Sequence, residues 1–280
     1  MTFKDLTIVI TTYKSEDKIE NCLNSIDSHI KVIVIENSNN QKFKVYIESK
    51  FSNVECILAN NNLGYGKANN IGLKKVKTKY SLILNPDTVL EKETINNFFI
   101  FLQEKINFAL LGPLQYKMKK ELKIDEGKNL NLTEENSITG HAMFLNMSQF
   151  ANVGFFDENF FLYYEEEDLC KRLKKLNKKI YVDKRIKIFH YGAKSVSQFF
   201  FKEVELNRNW HLMWSFFYYH KKHFNYFYAL ILILPKFFSS LINIFFYKLI
   251  FKDEKSKIYT KRLSGLLNSM LGNTSWHRPI

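Results

Sequence analysis

Asn85-Pro86-Asp87 closes the apolar run Tyr80-Ser81-Leu82-Ile83-Leu84. A buried strand ending there delivers one carboxylate to the carboxyl edge of a sheet, where open α/β sheets bind their ligands. Pro86 has no N–H for a ladder and cannot sit inside a helix, so the strand stops and Asp87 stands on a stiff corner. A lone Asp in that position is ordinarily a turn residue. Two clusters further along change its meaning: Tyr164-Glu165-Glu166-Glu167-Asp168 and Phe189-His190-Tyr191-Gly192. Together they supply a metal carboxylate, a base and an imidazole, the equipment of a metal-assisted group transfer.

The elements that must position these residues follow from hydrophobic periodicity. Residues 6–10, 31–35, 54–58 and 80–84 read as strands. Residues 15–30, 43–51, 66–76 and 91–102 read as the helices between them. In the first helix Ile19, Cys22, Leu23 and Ile26 recur at helical spacing behind Ser15, a candidate N-cap. Repeated strand–helix units predict an α/β, Rossmann-like fold: a mostly parallel sheet flanked by helices, with right-handed crossovers. Residues 108–111 and 140–146 continue the sheet, 163–176 form a helix, and 179–182 and 186–190 are short extended pieces. Residues 115–136 are polar and lysine-rich and predict an irregular hairpin or flap.

Thr11-Thr12-Tyr13 follows the first strand, Glu36-Asn37-Ser38 the second, and Asn62-Leu63-Gly64-Tyr65-Gly66 the third. All fall on the ligand edge of a parallel sheet. The threonine hydroxyls and Glu36 suit a base or ribose, and Gly64 and Gly66 allow the backbone close to a ligand. The Gly-x-Gly pair is not a dinucleotide fingerprint, because the third glycine is missing and it opens the third unit.

The ordered set resembles an inverting nucleotide-sugar glycosyltransferase of family 2, in the rhamnosyltransferase-like branch. The matching pieces are residues 7–13, 62–66, Leu84-Asn85-Pro86-Asp87-Thr88, residues 154–161, the acidic run with Leu169-Cys170, and His190. They span roughly the first 200 residues. The resemblance implies a nucleotide-diphospho-sugar transferase fold, a Mg²⁺ or Mn²⁺ ion and a single displacement. Asp87 matches the last acid of the family's metal motif, Asn85 replaces the first, and His190 matches a position that completes the metal shell in relatives. Glu166 takes the place of the general base, with Glu165 as the alternative register, and Asp168 orients Arg172 or the acceptor. His141 lies in a stretch that in relatives sits beside the acceptor and the donor sugar, where it either contacts a diphosphate or caps the strand. Thr11, Thr12, Tyr13, Glu36, Asn37, Asn62, Gly64, Tyr65, Gly66 and Asn85 complete the donor side. The branch further implies dTDP-L-rhamnose as donor and a glycan or polyprenyl-diphosphate-linked acceptor, with UDP-galactofuranose, UDP-galactose and UDP-N-acetylglucosamine as alternatives.

The chain has 280 residues and a formal net charge of +13, which predicts an anionic partner. Acids gathered in a cleft argue against nucleic acid. The three cysteines are scattered and form no Cys-x-x-Cys pair, so reduced thiols in the cytoplasm are expected. The N-terminus carries no signal-peptide pattern.

Phenylalanines concentrate after residue 195. Residues 226–234 and 237–251 are apolar, parted by Pro235-Lys236, and each is shorter than the ~20 residues that span a bilayer. Flanking lysines 221, 222, 252, 255 and 257 suggest an in-plane or re-entrant hydrophobic hairpin at the inner face of the membrane. The other use of such a surface is a packed subdomain or a homo-oligomer interface. The expected division is therefore a catalytic domain over 1–199 and a helical, membrane-associated region over 200–280. Two other classes compete. Nucleotidyl transfer to a sugar phosphate needs a Gly-rich basic signature after the first strand, which Thr11-Thr12-Tyr13-Lys14-Ser15 lacks. A non-catalytic basic binder leaves the acidic run and Asp87 without a purpose.

Overall fold

The computed structural model describes residues 2–114, 131–191 and 201–278. In chain order the elements are β1 (Leu6–Thr12), α1 (Glu16–Asn24), β2 (Lys31–Glu36), α2 (Gln41–Lys50), β3 (Val54–Leu58), α3 (Tyr65–Lys75), β4 (Tyr80–Leu84), β5 (Thr88–Leu90), α4 (Thr94–Gln103), β6 (Leu110–Pro113), β7 (Leu132–Glu134), β8 (Ala142–Asn146), α5 (Glu165–Lys175), β9 (Ile180–Asp183), β10 (Ile188–His190), α6 (Phe201–His223), α7 (Tyr226–Leu249) and α8 (Asp253–Met270). They form two compact units. Among the described residues the first comprises 2–63, 68–156 and 169–191, and the second comprises 64–67, 157–168 and 201–278.

The first unit is built on an eight-stranded sheet of order β3-β2-β1-β4-β8-β6-β9-β7. The β1–β2, β1–β4, β2–β3 and β6–β9 pairs are parallel, while β8 and β7 run antiparallel to their neighbours. Alternating side chains of a strand feed opposite faces. Ile8, Ile10, Val32, Val34, Leu82 and Leu84 meet Ile19, Phe43, Ile47, Phe98 and Phe101 on one face. Ile33 and Ile35 meet Ala59 and Ala68 on the other. The mostly parallel, helix-covered sheet expected from the periodicity is thus present. The sequence pattern overran α1, which ends at Asn24 and not at residue 30. The Ser25 hydroxyl bonds back to the Cys22 carbonyl at 2.7 Å and accepts Leu90 N–H at 3.0 Å, turning the chain away from the helix. Residues 115–130 of the expected flap lie outside the described residues, and β7 occupies its end.

The second unit centres on α6, α7 and α8. Met213, Phe217, Ala229, Ile233 and Leu266 form its apolar cluster. The expected break at Pro235-Lys236 does not occur, because α7 runs through Pro235 as one 24-residue helix. Proline inside a helix costs about 3 kcal/mol. Here the seam of Ala229, Ile233 and Ser240 is buried on both sides of it, and the Lys236 ammonium lies 4.7 Å from the Phe216 ring centroid. By length and composition α7 is the one described helix that could cross a membrane.

Candidate active site

Short loops tie the carboxyl edge of the sheet together. The Asn37 N–H donates to the Thr12 carbonyl at 2.9 Å, and its side-chain amide donates to Asn62 Oδ1 at 3.1 Å. Asn37 Oδ1 accepts the Leu63 N–H at 2.9 Å. One residue therefore links the ends of β1, β2 and β3, by its backbone N–H and its side-chain amide. Thr12 is buried, Tyr13 is half-buried, and the buried Thr11 Oγ1 accepts or donates no hydrogen bond among the described residues. Glu36 is also buried, and its carboxylate holds its own turn. It accepts the Ser38 N–H at 2.9 Å, the Ser38 hydroxyl and the Asn40 N–H.

Asp87 emerges after β4, as its sequence position implied, and is only 3% exposed. Asn85 fixes the approach. Its N–H donates to the His141 carbonyl at 2.9 Å, and its own carbonyl accepts the Thr88 hydroxyl at 2.7 Å. The decisive element was missed by the sequence reading. The three-residue strand β5 pairs antiparallel with β10, and Thr88 faces His190 in register. This ribbon brings His190 Nε2 to 3.3 Å from Asp87 Oδ1, across about a hundred residues of chain. His141 stacks on His190 with ring centroids 4.7 Å apart and planes 5° from parallel. Burial and the neighbouring His190 lower the His141 pKa to about 4, with Asp87 opposing them, so its imidazole is neutral at physiological pH.

Among the described residues Asp87 Oδ1 accepts no well-formed hydrogen bond, which is costly for a buried carboxylate oxygen. Among the described residues no group of three or more His, Cys, Asp or Glu side chains is arranged around a metal position. One carboxylate and one imidazole nonetheless fit a hard divalent ion that draws its remaining oxygen ligands from a bound phosphate and water.

The acids at 165–168 lie in the second unit, at the start of α5. Glu165 and Asp168 are buried, whereas Glu166 and Glu167 are partly exposed. This is the face separation that the i, i+3 spacing implied. The helix N-terminus favours all four carboxylates, yet burial raises the pKa of Glu166, and the charge of Glu167 adds to it. Burial, and then the charge of Glu166, raise Glu165 well above the ordinary range. Immediately before the helix, Tyr163 and Tyr164 both adopt φ of 69°, a strained pair of left-handed non-glycine residues. Gly64 has φ of 81°, and a Cβ there would stand 2.1 Å from the Phe161 carbonyl oxygen. Tyr65 N–H donates to that oxygen at 3.0 Å. The Tyr65 hydroxyl is raised by burial and then by the charges of Glu166 and Glu165, so Tyr65 lies near the acidic helix start.

Asp168 receives Lys222 Nζ at 2.6 Å and His223 Nε2 at 2.8 Å, while Arg172 donates to the Val153 and Phe155 carbonyls. In the sequence Lys222 reads only as one of the charges flanking an apolar stretch. Gly192, next to the His190 cluster, lies outside the described residues.

A model of glycosyl transferase family 2 matches residues 7–181. The chain belongs to this glycosyltransferase family. Its relatives include the low-salt glycan biosynthesis hexosyltransferase Agl10 of Haloferax volcanii, 26% identical over 196 residues. That match covers 62% of this chain and 62% of Agl10, less than two thirds of either. The rhamnosyltransferase WbbL of Escherichia coli is 26% identical over 250 residues, covering 77% of this chain and 92% of WbbL. The mannosyltransferase PcManGT from Pyrobaculum calidifontis, solved with GDP-Man and Mn²⁺, shares the fold. Its TM-score is 0.58 at 11% identity, over 96% of this chain and 87% of that one. The Rossmann-like transferase fold expected from the sequence is that of family 2.

Proposed function

We propose that this family 2 enzyme transfers a sugar from a nucleoside-diphosphate sugar to a hydroxyl of a glycan or lipid-linked glycan, with inversion, in cell-surface glycan synthesis. The observation that carries the reading is Asp87: a buried carboxylate at the carboxyl end of a parallel strand, with an oxygen left unbonded beside His190. Asp87 and His190 would hold a Mg²⁺ or Mn²⁺ ion, which when bound neutralises the charge on the departing diphosphate. Asn37, Asn62 and the threonines of β1 border the ligand edge of the sheet and suit a nucleoside. The neutral His141 imidazole offers a hydrogen bond near the diphosphate without adding charge.

Glu166 acts as the base. The acceptor oxygen attacks the anomeric carbon, its proton passes to the Glu166 carboxylate, and the bond from that carbon to the diphosphate oxygen breaks. A raised pKa suits the task, because a base poised closer to neutrality takes a proton more readily from an alcohol. Glu165, buried behind it, is kept from that role by its environment.

dTDP-L-rhamnose is the preferred donor, supported by the similarity to WbbL over nearly its whole length. A UDP-hexose is the alternative. We further propose that α7 lies in the plane of the inner membrane face. Phe227, Ile231, Phe238, Ile242, Phe245 and Leu249 are exposed along one side of it, and lysines stand beyond both ends. Transfer and hydrolysis assays across dTDP-, UDP- and GDP-sugars, with and without Mn²⁺, test the proposal. Turnover of one nucleotide sugar is expected, and no turnover of any of them refutes it.

A further inference from the structure

The strained turn before α5 is held from outside the acidic run. The segment from residue 157 to 168 carries Tyr163, Tyr164, Glu165 and Glu166, and one lysine grips both of its ends. Lys222 Nζ lies 2.7 Å from Asp157 Oδ2 and 2.6 Å from Asp168 Oδ1. Asp157 also accepts the Tyr218 hydroxyl at 3.1 Å, and Asp168 accepts His223 Nε2 at 2.8 Å. The Asp168 N–H closes back on the Tyr164 carbonyl at 2.8 Å, next to the two left-handed residues. Asp168 and the His223 side chain are fully or almost fully buried. Burial opposes ionisation of Asp157, and the bonds from Lys222 and Asn159 together outweigh it, leaving that carboxyl below the ordinary range.

From this geometry we propose that Lys222, with His223, is a positioning residue for the base. By fixing Asp157 and Asp168 it sets where Glu166, two residues before Asp168, presents its carboxylate. The proposal rests on the assignment of Glu166 above. Lys222 takes no part in bond making. Two left-handed tyrosines relax readily once an end of the segment is released, and a base displaced by about 1 Å loses its alignment with the acceptor. Substrate binding elsewhere need not change.

The test is Lys222→Met beside Lys222→Arg, in the full chain. The Met variant should lose ~10- to 100-fold in kcat for transfer, corrected for folded fraction, with the donor KM within about twofold of wild type. Arginine keeps the charge and reach across both carboxylates and should recover most of that loss. Backbone hydrogen exchange over 157–168 should quicken in the Met variant and return to normal in the Arg variant. If Lys222→Met fails to fold, Asp157→Asn releases one end more gently and should show the same split of kcat from KM. Wild-type kcat in a folded Lys222→Met or Asp157→Asn enzyme overturns the clamp. So does a loss that disappears on correction for folded fraction. A wild-type chain that transfers from no nucleotide sugar instead refutes the functional reading, and the base with it.

Discussion

Replacing Glu166 and Glu165 in turn by glutamine separates base from scaffold, because the two neighbours differ in surroundings and not in chemistry. Glu166 is partly exposed, whereas Glu165 is 3% exposed with Oε2 unbonded. Glu166→Gln keeps the shape and removes the proton acceptor. A lost general base costs ~10²- to 10⁴-fold, so kcat should fall by that factor, roughly 3–5 kcal/mol of barrier, with donor KM unchanged. In wild type, kcat should rise with pH along an acid limb above the ordinary carboxylate range, because burial and the charge of Glu167 delay ionisation of Glu166. Glu165→Gln should act on stability. Below the unfolded carboxyl pKa of about 4.3, both states hold the Glu165 proton and the variant gains nothing. As the pH rises the unfolded chain releases that proton first, so wild type loses stability between about pH 4.3 and the raised folded pKa. The glutamine does not titrate, and it should melt higher than wild type at pH 7 and level with it at pH 4. Steady-state kinetics with calorimetry at the two pH values read all of this. A larger kcat loss in Glu165→Gln moves the base by one residue, and wild-type kcat in both removes the base from this run.

Asp87→Ala should nearly abolish transfer and weaken binding of the nucleoside diphosphate in the presence of Mn²⁺, read by titration calorimetry. Unchanged metal-dependent binding refutes the metal role. Gly64→Ala should destabilise the chain by roughly 1.5–3.5 kcal/mol in urea. About 1–2 comes from the left-handed backbone and about 0.5–1.5 from loss of the Tyr65–Phe161 hydrogen bond as the new Cβ pushes Phe161 away. An unchanged midpoint contradicts the close approach. Phe238→Ser with Phe245→Ser alters two exposed side chains and should leave the melting temperature alone. It should lower sedimentation with anionic vesicles by ~10²-fold or more, at about 1.5–3 kcal/mol for each phenylalanine withdrawn from an apolar phase. Equal sedimentation removes α7 from membrane binding.

Much of the fold was legible because β1 to β4 carry near-continuous apolar runs between amphipathic helices, a pattern set by burial on both faces of a parallel sheet. Asp87 was legible because Pro86 fixes where β4 stops. The Asp87–His190 pairing was visible only through the resemblance, since β5 spans three residues and its pairing with β10 is long-range. α7 misled for a different reason. Local propensity at Pro235 predicts a break, but its buried seam on α6 and α8 stabilises the helix by more than proline costs. Lys222 was read by its neighbours in sequence, while its role follows from Asp157 and Asp168, more than fifty residues upstream.

Four buried acids that look alike as letters are told apart by what they face. Glu36 faces backbone and hydroxyl donors of its own turn, and its charge is used to hold that turn. Asp168 faces an ammonium and an imidazole, so it is a paired anchor. Glu165 is buried and faces another carboxylate, and burial first and that charge second favour its neutral form. Asp87 has the His190 imidazole at 3.3 Å and an oxygen that accepts no hydrogen bond among the described residues. In the proposed reading that oxygen would be one ligand of a divalent cation, with a bound diphosphate and water supplying others. Within the acidic run Glu165 and Asp168 are buried while Glu166 is partly exposed, which is what favours Glu166 for the proton in the proposed reading.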